Sequence, residues 1–368
     1  MNFDFPDEVK AMQQQASDYL TRTESRSLSR KVLDGQTGLA RSNWAEMADM
    51  GWMGLTIPEA YGGNEIGHIA LCGLAYELGR HLTPAPFASS IYLVAEALVL
   101  FGSEAQKTTW LPGLAQGRLS ACFAQSEGAA DGTGTGCQAA VKDGRLSGVK
   151  KPVGDGICAD FAIVRAVEDG SEGLYIVDLA ADGVVRVPVR TIEGIREHAA
   201  ISFTNVPAEL LVSGTEAIVR LFDRAAVLFA FEQVGGAQAC LDMAVAYAQE
   251  RYAFGRAIGS FQAIKHKLAD MFVATELARS NAYFGAWALA ADAAEMQIAA
   301  ATARLSASKA YWLATKENIQ THGGIGFTWE IDAHLYYRRH KALKLAVETE
   351  RYWEDRLIEG LRAGLVEL

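Results

Sequence analysis

Two stretches of this chain carry residue types suited to gripping phosphate. The first reads Arg251-Tyr252-Ala253-Phe254-Gly255-Arg256-Ala257-Ile258-Gly259-Ser260-Phe261-Gln262 and is followed by His266-Lys267-Leu268-Ala269-Asp270-Met271. The second reads Gln320-Thr321-His322-Gly323-Gly324-Ile325-Gly326-Phe327. A guanidinium makes charge-assisted, bidentate bonds to a diphosphate, and glycines let backbone N–H groups approach phosphate oxygens without a Cβ in the way. Each feature also has a plainer reading. An arginine is usually a surface ion-pair partner, and Gly323 with its neighbours suits a helix C-cap and turn. His322 reads as a packed or capping side chain, because the sequence places no carboxylate or nucleophile beside it.

These residues need long helices to hold them. Helical texture runs from Glu216 to Gln249, from Ser260 to about Asp292 and from Glu295 to Thr321, and Phe261, Ile264, Leu268 and Met271 keep the spacing of one apolar helix face. Long helices with short connections imply a four-helix bundle. Towards the N-terminus, Pro6 to about Leu114 is also helical, with Asp7 and Glu8 in a first turn and Ala70, Leu74, Tyr76 and Leu78 recurring three and four apart. The run Pro58-Glu59-Ala60-Tyr61-Gly62-Gly63 interrupts it with a turn. After Gly117 come short β-prone runs, Phe161-Ala162-Ile163-Val164, Leu174-Tyr175-Ile176-Val177 and Val184-Val185-Arg186-Val187, separated by Gly and Asp. The expected class is α+β, mostly α: an N-terminal helical domain over 1–117, a small middle β-barrel or sheet domain over 118–213, and a C-terminal four-helix bundle over 214–368.

At 368 residues the chain can bury a large interior, and half its residues are apolar against 21% charged, which is ordinary globular composition. A net charge of −10 without a Lys or Arg run argues against nucleic acid or an anionic membrane surface as a partner. The start, Met1-Asn2-Phe3-Asp4-Phe5-Pro6, lacks the positive charge of a signal peptide, and no uncharged apolar run reaches the roughly 18 residues of a membrane span. A cytoplasmic protein with no membrane insertion is expected. Cys72, Cys122, Cys137, Cys158 and Cys240 stand singly, which excludes the usual zinc and disulfide spacings; buried thiols and no metal are expected.

In its two phosphate-suited segments the sequence resembles the acyl-CoA dehydrogenases, whose bundle domain carries an R-x-x-F-G-x-x-I-x-x-F-Q run followed by a Q-x-x-G-G-x-G run. Both stand here in that order. The resemblance extends to Gly54-Leu55-Thr56-Ile57-Pro58-Glu59-Ala60-Tyr61-Gly62-Gly63 and to Phe123-Ala124-Gln125-Ser126-Glu127-Gly128. It implies FAD as cofactor, contacted by Arg251, Phe254 and Gln262, with Gln320, Gly323 and Gly324 reaching the FAD of a neighbouring subunit, and hence an oligomer. Ser126, Phe123 and Val153 are implied at the flavin ring, although Ser126 also suits a simple turn. The chain departs from the family pattern too. Pro152-Val153-Gly154 replaces a Trp-Ile-Thr triplet that packs on and bonds the isoalloxazine, and Ala129-Ala130-Asp131-Gly132 replaces a G-S-D loop end.

The largest departure concerns the base. Desaturating an acyl-CoA removes the α proton to a carboxylate while the β hydrogen leaves as hydride to the flavin. The family's two positions for that Glu fall on Ala225 and near Val347, where Y-E-G-T becomes Ala346-Val347-Glu348-Thr349. Glu348 and Glu232 are the nearest substitutes. Their plainer readings are a solvated loop charge and a buried partner of an Arg. This pattern, with Glu232-Gln233-Val234-Gly235-Gly236-Ala237 and Tyr336-Tyr337-Arg338-Arg339, resembles the smaller chain of bacterial heteromeric acyl-CoA dehydrogenases. The resemblance implies a bulky, steroid-like or dicarboxylic acyl-CoA thioester, an electron-transferring flavoprotein as electron acceptor, and either a homo-oligomer or a heterotetramer with a larger dehydrogenase subunit. A non-catalytic partner subunit that completes an FAD site, and a flavin oxidase or monooxygenase, are the competing readings.

Overall fold

The computed structural model describes residues 5–36, 39–128 and 137–364. Six helices come first: α1 (Asp7–Arg22), α2 (Ser25–Leu33), α3 (Leu39–Asp49), α4 (His68–Arg80), α5 (Glu96–Phe101) and α6 (Glu104–Ala115). Eight strands follow: β1 (Ala121–Ala124), β2 (Ala140–Lys142), β3 (Arg145–Gly154), β4 (Phe161–Glu168), β5 (Ser171–Asp178), β6 (Val184–Val189), β7 (His198–Pro207) and β8 (Glu209–Ser213). The C-terminal part holds α7 (Thr215–Glu250), a hairpin of β9 (Tyr252–Ala253) and β10 (Arg256–Ala257), then α8 (Gln262–Ala291), α9 (Met296–His322), α10 (Ala333–Lys344) and α11 (Glu350–Arg362). The three long helices lie within a few residues of their expected ends. Two shorter ones, α10 and α11, add to them and pack on α9.

Two compact units emerge. One takes in the described residues up to Arg30, then His68–Thr83, then Asp223 onward; the other takes in Lys31–Gly67 and Pro84–Phe222, apart from the undescribed residues.

In the first unit α7 is the central rod. Asp223 to Ala237 is buried throughout, and the unbroken apolar run from Ala225 to Phe231 faces the interior on every side. Helix α4 crosses it at a glycine pair: a Cβ on Gly79 would stand 1.9 Å from the Glu232 carbonyl oxygen, and one on Gly235 would stand 1.9 Å from that of Tyr76. Glycines are needed there because the two backbones meet with no room for a side chain. Phe5 closes the unit's edge against Phe231 and Tyr283, with ring centroids 5.6 and 4.7 Å away.

In the second unit the strands form one mixed eight-stranded sheet, ordered β6-β7-β3-β2-β4-β5-β8 with β1 parallel to β4. The sheet, rather than a barrel, is what the β-prone runs build. Their alternating inward residues, among them Val141, Leu146, Val164, Tyr175, Ile201, Phe203 and Val206, make its core. Helix α6 begins on a capping box, the Ser103 hydroxyl accepting from the Gln106 N–H while the Gln106 side chain accepts from the Ser103 N–H.

Candidate functional site

The two glycine-bearing segments meet at one end of the first unit's helices. The last turn of α7 is closed by the Arg251 N–H donating to the Tyr247 carbonyl at 2.8 Å, and the Tyr247 ring stacks on His322, the last residue of α9, at 4.2 Å. His322 Nδ1 donates to the Asn318 carbonyl at 2.8 Å. It is a buried packing residue, and it serves to hold the two segments side by side.

After Arg251 the chain turns sharply. Ala253 pairs with Arg256, leaving Phe254 and Gly255 as the hairpin loop with φ of +53° and +77°. Two successive positive φ values are what a tight hairpin turn of right-handed strands demands. Phenylalanine rarely adopts that backbone, and here its ring is 95% exposed, touched at its edge by Phe261 with centroids 6.3 Å apart. Arg256 lies over the Phe261 ring at 4.1 Å. The Ile258 N–H returns to the Arg251 carbonyl at 2.8 Å and fixes the loop. Helix α8 starts immediately after, with Gln262 its first residue and no side-chain cap on its N-terminal N–H groups, an arrangement that favours an anion.

At the end of α9, Gly323 has φ of +64°, and Cβ atoms on Gly323 or Gly324 would meet nothing within 4 Å. Gly326 differs: its Cβ would meet the Ile319 carbonyl oxygen at 2.5 Å, so it serves the turn itself. The C-cap reading thus accounts for Gly326 and for the φ of Gly323, but not for the open face over Gly324. Arg251, Gln262, Gln320, Gly323 and Gly324 are all exposed. A guanidinium, two amides, an exposed aromatic ring and bare backbone at one end of the unit are a donor set that fits a diphosphate and the groups attached to it.

The second unit holds the other expected contacts. Ser126, in the loop after β1, donates its hydroxyl to the Lys151 carbonyl at 2.9 Å, and its own carbonyl accepts from the Lys151 N–H at 2.7 Å. Its hydroxyl proton is thus engaged with the protein, and its oxygen remains an acceptor. Phe123 is 8% exposed and packs edge-on against Phe222 at 5.8 Å. Val153 requires a correction: at 1% exposed it belongs to the sheet core, because a register shift between Lys150 and Val153 interrupts the alternation of β3 and turns it inward, and its side chain has no free face for a ring. Gly154 leaves an open notch beside it, where a Cβ would have Ser89 Oγ at 3.8 Å and His198 Nε2 at 3.9 Å. The substituted loop Ala129 to Gly132 lies outside the described residues.

No carboxylate stands at either expected base position. Ala225 and Ala226 are fully buried on α7, and Val347 is 1% exposed beneath Trp353, whose Nε1 donates to its carbonyl at 2.8 Å. Glu232 is also corrected as a base candidate. It is buried against equally buried Arg339 of α10 at 3.1 Å, a salt bridge that commits it to holding α7 on α10. Beside it Arg304, buried on α9, donates to the Gln233 side chain and the Leu343 carbonyl, and Tyr336 donates to the Arg80 carbonyl at 2.6 Å. Glu348 sits at φ of +58° in the turn before α11, half-buried. Sequence reasoning missed Asp223. It is buried on α7 two residues before Ala225, accepts from Arg356 of α11, and burial pushes its carboxyl up to about 6 against the pull of that guanidinium. An acidic residue just before an unbroken apolar run of helix was the available signal.

Among the described residues no helix is long and apolar enough to cross a membrane. Among the described residues no disulfide forms; Cys72, Cys122 and Cys240 are buried, whereas Cys137 and Cys158 are only half-buried, contrary to the expectation that all would be.

Residues 6–118 match the acyl-CoA dehydrogenase N-terminal domain and residues 213–347 match the acyl-CoA dehydrogenase C-terminal domain. The acyl-CoA dehydrogenase IpdE2 of Mycobacterium tuberculosis is 32% identical over 94% of this chain and 95% of its own length. Among solved structures, the Tcur3481-Tcur3483 steroid ACAD is 28% identical with a TM-score of 0.87, covering 97% of this chain and 98% of that one. The ChsE4-ChsE5 complex of Mycobacterium tuberculosis is 25% identical with a TM-score of 0.89, covering 98% of this chain and 99% of that one. With those likenesses spanning nearly the whole chain, and a donor set suited to a flavin dinucleotide at the end of its long helices, the chain belongs to the acyl-CoA dehydrogenase family of FAD-dependent oxidoreductases, with FAD as its cofactor.

Proposed function

We propose that this chain is the FAD-site-completing subunit of a cytoplasmic α,β-dehydrogenase of acyl-CoA thioesters, assembled as a heterotetramer with a larger dehydrogenase subunit that supplies the base. The observation that carries this reading is the absence of a carboxylate at both base positions. Ala225 and Val347 are buried and apolar, and Glu232 is consumed by Arg339. A carboxylate base held to an ion-pair partner on its own side of the fold has little to offer a substrate carbon.

FAD, when bound, supplies the hydride acceptor. The chain's own part is to hold it: Arg251, Gln262 and Gln320 by side-chain hydrogen bonds to the diphosphate, Gly323 and Gly324 by close backbone approach, Phe254 by its outward ring, and the loop of Ser126 by its backbone and hydroxyl oxygen at the flavin. The exposed site at the end of the helices, with an aromatic ring turned fully to solvent, supports sharing between subunits. The relatives named as a steroid ACAD and as a complex of two chains favour a bulky, steroid-like thioester and a heteromeric assembly here. Electrons would pass to an electron-transferring flavoprotein.

The test is to express the chain alone and with a larger dehydrogenase subunit encoded beside it, then measure mass, flavin per chain and turnover. Flavin and activity appearing only in the mixed complex is the expected result. A stable, active homotetramer overturns the unlike partner, and a Glu348→Gln variant that then loses turnover with flavin retained would transfer the role of base to Glu348. A mixed complex that keeps its full flavin content and turnover when Arg251 and Gln262 of this chain are replaced by Ala would instead favour a purely structural partner chain.

A further inference from the structure

A second cluster of reactive side chains lies in the second unit, where β3 meets the loop after β1. Lys150 is fully buried, and its ammonium donates to Glu127 Oε1 at 2.6 Å, to the Gln125 carbonyl at 3.2 Å and to Cys137 Sγ at 3.3 Å. The thiol in turn faces Glu127 Oε1 and the Arg165 carbonyl, both at 3.2 Å. Glu127 also accepts from the N–H groups of Gln138 at 2.7 Å and Ala139 at 2.9 Å. A buried amine within contact distance of a half-buried thiol, with one carboxylate touching both, is not needed for the ion pair alone. The other thiols have different surroundings: Cys72, Cys122 and Cys240 are fully buried, and Cys158 Sγ faces the Asp155 carbonyl at 3.3 Å.

We propose that Cys137 and Lys150 form a peroxide-sensitive cross-linking site in which Sγ and Nζ become joined by a sulfur–nitrogen bond. The first step is oxidation of the Cys137 thiol by hydrogen peroxide. The peroxide O–O bond breaks, an S–O bond forms, sulfur gives up two electrons, and the products are a sulfenic acid and water. In the second step the Lys150 ammonium sheds one proton to the Glu127 carboxylate, which passes it to solvent. The amine then attacks Sγ, the S–N bond forms, the S–O bond breaks, and the hydroxyl departs with an amine proton as water. Proximity favours this step, since the attacking nitrogen is already in contact with the sulfur. Burial pushes the Cys137 thiol up from its ordinary value while Lys150 pulls it down, so the first step is slow and answers to an oxidative load.

Cross-linking takes the cation away from Glu127 and leaves one neutral N–H where the ammonium had three donors for Glu127, the Gln125 carbonyl and Cys137, and so loosens the segment that carries Ser126. Formation of the bond is independent of the functional proposal. Its effect on FAD rests on that proposal's placement of Ser126, and the two are read separately.

Purified holoprotein is treated with hydrogen peroxide, digested and analysed by mass spectrometry, in parallel with FAD fluorescence. The expected result is a peptide joining the Cys137 and Lys150 segments, lighter by two hydrogens than their sum, reversed by dithiothreitol and absent from Cys137→Ser. FAD binding should weaken about tenfold, as for the loss of one charge-assisted hydrogen bond. Progress of Cys137 to sulfinic or sulfonic acid with Lys150 unmodified, or its linkage to another cysteine, overturns the site. Because that readout is made on the wild-type chain, it stands even if the serine variant fails to fold. A cross-link formed with FAD affinity unchanged keeps the site and overturns its coupling to the flavin.

Discussion

Replacing Glu232 by Gln separates a structural carboxylate from a chemical one. Glu232 and Arg339 are each 1% exposed and 3.1 Å apart, so the neutral amide leaves a guanidinium charge in the interior without its counter-charge. Removing one partner of such a pair costs about 3–5 kcal/mol, a large fraction of the roughly 5–15 kcal/mol by which folded proteins are stable. At about 1.4 kcal/mol per factor of ten, even the lower figure shifts the unfolding equilibrium by roughly a hundredfold. The assay is urea unfolding of the purified mixed complex, followed by far-ultraviolet circular dichroism and flavin fluorescence. The midpoint should fall sharply. The double variant Glu232→Leu with Arg339→Leu should recover most of the loss, because two apolar residues of adequate volume bury no charge. The reasoning is refuted if Glu232→Gln keeps the wild-type midpoint and retains flavin, yet the complex loses turnover. That outcome would make Glu232 the base.

Arg251→Ala should weaken FAD binding by about ten- to a hundredfold through loss of hydrogen bonds to charged oxygens, measured by flavin absorbance after dialysis, with no change in the urea midpoint. Gly324→Val should keep the fold, since its Cβ would meet nothing within 4 Å, yet lower FAD content if the backbone there approaches phosphate. Gly235→Ala should do the reverse, costing about 1–3 kcal/mol by overpacking against Tyr76 without a direct effect on flavin contacts. The Asp223 carboxyl, pushed up to about 6 by burial despite Arg356, has a folded value above its unfolded one of about 4. Its contribution is therefore fully present below about pH 4 and is lost as pH rises through about 6. Asp223→Asn should flatten that part of the stability profile. Glu127 has the opposite sign. Burial raises it, but Lys150 and the Ala139 and Gln138 N–H groups outweigh burial and bring it to about 2, so its contribution is present above about pH 4.5 and is lost as pH falls through about 2.

Much of the fold was legible because it is local. The three long helices ended close to where apolar periodicity ended them, and the runs at Phe161, Leu174 and Val184 became β4, β5 and β6. Residue types and order were likewise enough to mark Arg251, Gln262, Gln320, Gly323 and Gly324 as candidates for phosphate contact, since phosphate chemistry restricts which side chains and which bare backbone can serve, and the structure leaves all five exposed. What a side chain faces is not a local property. Val153 reads as a ring contact in sequence, but the break in register between β3 and β7 just before it turns it into the sheet core. Glu232 reads as a possible base until α10 brings Arg339 against it from 107 residues away. Cys137, Glu127 and Lys150 carry no motif, and only the meeting of β3 with the loop after β1 puts amine, thiol and carboxylate in contact. Burial and partnership arise from long-range packing, where the energy of a charge depends on which distant residue shares its interior, and that dependence is decided in three dimensions.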